Sequence, residues 1–164
     1  MPGKIYHHLA SDHRRLDDLL ELATSGETID GAAYHQFRAG LLKHIGMEEK
    51  ILLPAAQRLR GGQPLAVAAR LRLDHGALAA LLVPPPTAQV LAAIRAILNL
   101  HNPLEEDSGG MYEQCEQVAG AEIDEILRQL QDAPDVRVAA NVDGPKVLEM
   151  TRRALTKAGY DLEL

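Results

Sequence analysis

Apolar residues in this chain recur every three or four positions almost from end to end, the period of helices that bury one face. Ile5, Leu9, Leu16, Leu19 and Leu20 predict a first helix over about residues 4–23. Phe37, Leu41, Ile45, Leu52 and Ala55 predict a second over about 30–60, with Asp30 as its N-cap. Leu65, Ala68, Leu71, Leu78 and Leu82 mark a third, opened by Pro64 at the first turn and ended by Val83-Pro84-Pro85-Pro86. Val90, Leu91, Ile94, Ile97 and Leu98 mark a fourth behind the cap Thr87. Residues 24–28, the Gly61-Gly62 pair and the proline run are the turns between them. A helical run over 111–131 follows, then a break at 132–135, an extended stretch over 136–143 and a short last helix over about 145–157.

Each of the first four stripes is interrupted by a histidine, and the interruptions repeat. His44-Ile45-Gly46-Met47-Glu48-Glu49 and His101-Asn102-Pro103-Leu104-Glu105-Glu106 share the pattern H-x3-E-E. Asp12-His13 and Asp74-His75 each open D-H-x2-L-x2-L-L. His13 and His75 are 62 residues apart, and His44 and His101 are 57 apart, so a helical hairpin is present twice with a shorter loop in the second copy. Two such hairpins make an all-α, up-and-down antiparallel four-helix bundle, a fold that places metals on inward side chains of facing helices. A His and a Glu four residues apart differ by only about 40° around the axis, so both can reach one ion.

Taken singly, none of these residues is decisive. His13 alone reads as a core imidazole with a satisfied partner. Asp17 could brace that imidazole or pair with Arg14 on the surface, and the surface reading is preferred. Tyr6 shares the face of His13 and is read as core packing. His7, His8 and His35 fall off the stripes and should flank them or face solvent. Pro54 should kink or divide the second helix, and Pro103 with Ser108-Gly109-Gly110 should unwind the fourth or force a π-bulge in it.

Composition narrows the class. At 164 residues the chain is large enough for a core without staples; 46% of it is hydrophobic but only 3% aromatic, with no Trp, and Ala and Leu fill a helical interior. A net charge of −6 argues against nucleic acid or an anionic membrane as partner. Cys115 is the single cysteine, which fits a reducing compartment. The start has no apolar leader core and no run of 18 apolar residues occurs, so a soluble, cytoplasmic protein is expected.

An isolated carboxylate in a bundle core would be neutralised or expelled. Two carboxylates and four imidazoles converging there are mutually explicable if they hold cations. Imidazole with carboxylate and no thiolate suits iron, manganese or zinc, and bridging carboxylates suit a pair of ions, whereas calcium takes more oxygens.

The ordered motifs, His13, His44-x3-Glu48, His75 and His101-x3-Glu105, resemble the hemerythrin-like family, or HHE cation-binding domains, over roughly residues 4–118. The resemblance implies a non-haem di-iron centre with an oxo or hydroxo bridge. It makes His13, His44, His75 and His101 terminal ligands and Glu48 and Glu105 bridging ones. Three departures stand out. The oxygen-carrying members have a further His where this chain has Leu71, one turn before His75. They place the fourth-helix carboxylate five residues after its His, which makes Glu106 the alternative to Glu105. Family members often continue E-E-x-x-L-Y-P; the second helix keeps this form to Pro54, whereas Met111-Tyr112 comes two residues late, as if Ser108-Gly109-Gly110 held an insertion.

The function implied is a di-iron protein that binds O2, NO or peroxide for sensing, storage or detoxification, or that handles iron. The alternatives are a ferritin-like oxidase or peroxidase and an interaction module with adventitious metal. A sensor would act through a separate downstream protein. Residues 1–132 are read as the bundle and 133–164 as a C-terminal extension packed on it or on a second copy in a homodimer.

Overall fold

Asp30 accepts hydrogen bonds from the backbone N–H groups of Ala32 and Ala33, both at 3.0 Å, and so starts the second helix where an N-cap was expected. The computed structural model describes residues 1–164, and the chain is all-helical with a C-terminal helical extension. Its helices are α1 (Lys4–Thr24), α2 (Gly31–Met47), α3 (Leu53–Leu59), α4 (Ala68–Leu81), α5 (Ala88–Glu106), α6 (Met111–Ala119), α7 (Ile123–Gln131) and α8 (Pro145–Lys157). They fall into two compact units. One comprises residues 1–68 and 105–138, the other 69–104 and 139–164.

In the first unit α1 packs along α2, and α6 and α7 also lie against α1. The apolar stripes supply the core: Ile5, Leu9, Leu16 and Leu20 of α1 and Phe37 and Leu41 of α2 are buried. In the second unit Leu71, Leu78, Leu81, Ile94 and Ile97 are buried on α4 and α5, as is Leu155 on α8. Thr87 caps α5 through Val90 N–H at 3.1 Å. The chain after α7 is an irregular strap, not a strand: Val142 N–H donates to Val83 O at 2.9 Å and the Asn141 amide donates to Pro84 O at 2.9 Å. Thr151 of α8 donates to Ala80 O at 3.3 Å, which ties the last helix to α4.

Three expectations are corrected. The helix through Pro103 is unbroken, because Pro103 lies near its C-terminus and the residue it would have donated to, Asn99, is on the exposed side. The second helix is divided at Pro54, as expected. Glu48–Leu52 is a π-helical turn in which Leu53 N–H reaches back to Glu48 O, a widening that relieves the clash of the Pro54 ring with the carbonyl four residues before it. The third helix begins at Ala68, not Pro64, after a separate turn in which Ala68 N–H donates to Leu65 O at 3.0 Å. The run after Met111 is two helices, divided at Gly120, whose φ of +51° breaks the helical path.

Candidate metal centre

All six histidines and glutamates singled out by the repeat are buried. The first unit brings four of them to one focus. One ligand atom from each of His13, His44, Glu48 and Glu105 lies within 4.8 Å of the others. His13 reaches in from α1 and His44 from the last turn of α2, while Glu48 opens the π turn and Glu105 comes from the end of α5. His44 Nε2 is 3.2 Å from Glu48 Oε1, and His13 Nε2 is 3.2 Å from Glu105 Oε2. Metal–nitrogen and metal–oxygen bonds of about 2.0–2.2 Å set adjacent donors about 2.9–3.4 Å apart, so these spacings fit donors that could share one ion.

The outer nitrogens of these rings are held by carboxylates. His44 Nδ1–H donates to Asp12 Oδ2 at 2.8 Å, and His13 Nδ1 pairs with Glu106. Such a partner fixes the ring and turns Nε2 toward the focus. Glu105, fully buried, therefore faces the inward nitrogen of His13 and its neighbour Glu106 the outward one. Asp17 is exposed on α1. A cleft of about 470 Å³ lined by His8, Arg15, Lys43 and Asp135 reaches Asp12 from outside.

The second unit holds the other imidazole pair. His75 of α4 and His101 of α5 have ring centroids 4.8 Å apart in an edge-on arrangement. His101 Nδ1–H donates to Asp74 Oδ2 at 3.1 Å. Arg70 also donates to Asp74, as does the Tyr160 hydroxyl at 2.9 Å. Burial works against the Asp74 charge, yet His101, Tyr160 and Arg70 hold its carboxyl below the usual range. Leu71 is fully buried here, an apolar side chain where an oxygen carrier has its further His.

The two D-H motifs thus share a crossed logic. Each aspartate braces not the histidine beside it but the histidine of the H-x3-E motif that follows. Neighbours on a helix diverge by about 100°, so a residue beside an inward His faces an adjacent helix. The doubled D-H pair carries this signal in the sequence, whereas spacing within a single helix points only to i+4, the position of Asp17.

The other residue missed is Tyr112, treated above only as a displaced motif position. It is fully buried, and its hydroxyl donates to Glu48 Oε1 at 2.7 Å. Burial and the two flanking carboxylates hold its phenol well above the usual range. One turn further along α6, burial first and then Glu48, Glu116 and Glu105 push the Cys115 thiol up to about 12. Almost no thiolate exists at neutral pH, so iodoacetamide at about pH 8 should label Cys115 at least about 100-fold more slowly in the native chain than in the denatured one. Mass spectrometry of timed samples reads this directly, and equal rates would show the thiol is open.

The electrostatics of the focus suit a cation. Burial opposes a charge on His44, but Glu48 beside it, the Asp12 hydrogen bond and Glu105 push it up to about 10. His13 is likewise raised, burial being outweighed by Glu105 and Glu106. The carboxylates that favour a proton on His44 would equally favour a cation in its place. Two imidazoles and two carboxylates with no thiolate form a donor set for a first-row transition metal. Comparison with curated proteins and with solved structures finds no match. A family model described as the hemerythrin HHE cation binding domain matches residues 4–108, the stretch that carries every one of these histidines and glutamates, and the chain belongs to that family.

Proposed function

We propose that the protein holds a pair of iron ions and binds O2, NO or peroxide there, for sensing, storage or detoxification, or in the handling of iron itself. The ligand set is the six side chains of the repeat, with His13, His44, His75 and His101 as terminal donors and Glu48 and Glu105 as bridging ones. The observation that carries this reading is the buried focus of His13, His44, Glu48 and Glu105 donors within 4.8 Å of one another. The iron pair would supply reversible one-electron chemistry and an open position for a small ligand. The chain's own part is to keep Nε2 of His44 and His101 turned inward through Asp12 and Asp74, and to bury the donors away from bulk water. Manganese or zinc fits the same donor types. No helix is long and apolar enough to cross a membrane, and the lone buried thiol suits a reducing cytoplasm.

Metal analysis with an ultraviolet–visible spectrum of freshly purified protein tests this reading. Two irons per chain with near-ultraviolet absorption are expected. His44→Ala and His75→Ala should each lose at least one ion per chain. Colourless protein holding zinc or nothing, or variants with the full complement, would sink the assignment. Peroxide-dependent turnover of a reductant would move the reading from binding protein to peroxidase.

A further inference from the structure

Tyr112 is the second residue of α6, and a tight turn returns it to the focus. Gly110 N–H donates to Asp107 O at 2.7 Å, Gly109 N–H donates to Glu113 Oε2 at 2.6 Å, and the Gln114 amide donates to Gly109 O at 2.8 Å. A Cβ on Gly110 would lie 2.7 Å from both Glu105 O and Asp107 O, so only glycine lets the chain double back so closely behind Glu105. The three residues that resemble an insertion are therefore what swings the tyrosine inward.

The hydroxyl oxygen then has four polar neighbours: Glu48 Oε1 at 2.7 Å, Glu105 Oε2 at 3.2 Å, His13 Nε2 at 3.2 Å and His44 Nε2 at 3.3 Å. A phenol has one hydrogen and can donate to only one of these carboxylates. The spacings to Glu105, His13 and His44, 3.2–3.3 Å, match the edges of a coordination polyhedron whose bonds are about 2.0–2.2 Å, and the 2.7 Å contact to Glu48 is the one hydrogen bond the phenol makes without an ion.

We infer that the Tyr112 oxygen is a fifth protein donor to the ion held by His13, His44, Glu48 and Glu105. The inference rests on the metal reading above and adds a ligand to it. As the oxygen–metal bond forms, the phenolic O–H bond breaks and one proton passes to solvent, with no change of oxidation state. A hard, anionic oxygen donor favours ferric iron over ferrous iron and over zinc. It gives this ion a harder donor set than one of imidazole and carboxylate alone.

The test is the full-length chain loaded with iron and oxidised in air, read by iron content, visible absorption and resonance Raman scattering. Expected is a visible tyrosinate-to-iron band with enhanced tyrosine ring modes. Tyr112→Phe should lose both while keeping the near-ultraviolet iron absorption. Tyr6→Phe and Tyr34→Phe should keep them. If Tyr112→Phe does not fold or load, the wild-type modes together with their survival in those two variants make the assignment, Tyr160 being hydrogen-bonded to Asp74. Iron uptake without tyrosinate modes, or modes that survive in Tyr112→Phe, overturns this inference and leaves the metal reading intact. Failure of the wild-type chain to take up iron at all overturns both.

Discussion

Glu48→Ala is expected to abolish metal retention while the helices remain formed. The carboxylate is fully buried and touches His44 at 3.2 Å and Tyr112 at 2.7 Å. Disturbing a supporting contact costs about 10–100-fold in metal affinity, and removing a donor costs more, so a loss beyond about 100-fold is expected. The metal-free chain should also lose about 1–3 kcal/mol, because the Tyr112 hydroxyl and His44 each forfeit a buried hydrogen-bond partner. Ion content after dialysis and denaturant melts of the metal-free protein measure the two effects separately, with far-ultraviolet circular dichroism as the check on fold. A Glu48→Ala chain that still carries its full complement would mean the ions sit elsewhere.

Asp12→Ala should act through His44 without touching the ion. Burial works against the Asp12 charge, but the His44 hydrogen bond and Arg15 hold its carboxyl below the usual range. Removing it frees the His44 ring to turn and withdraws electron density from Nε2, so affinity should fall about 10–100-fold with stoichiometry unchanged at saturating metal. Asp74→Ala should do the same through His101, and its effect should be read beside Tyr160→Phe, which removes one of the contacts that hold Asp74 in place. Competition against a chromogenic chelator gives the affinities. Wild-type affinity in Asp12→Ala would show that the crossed aspartates are ordinary surface-side ion pairs.

Helices and ligand types were legible because both depend on spacing. A period near 3.6 and punctuation by Asp30, Thr87 and Val83-Pro84-Pro85-Pro86 located most helix ends. The doubled H-x3-E-E motif singled out four of the six buried histidines and glutamates, and the D-H pairs the other two, since a charged or imidazole side chain within an apolar stripe needs a partner. What spacing could not supply was contact between segments distant in the chain. Asp12 meets His44 across 32 residues, and Tyr112 meets His13 across 99. Nothing in the local pattern of either residue records such a partner.

The chain's own order of residues determined an all-helical fold, four histidines and two glutamates on inward faces, and membership in a cation-binding family. Tertiary structure alone decided which Glu faces the inner nitrogen of His13, which aspartate holds which ring, where the helix widens to pass a proline, and that a tyrosine joins the focus. The physical reason is one of range. Periodicity and capping act within a turn or two of helix, whereas the orientation of a ring and the closing of a donor cluster depend on packing between helices.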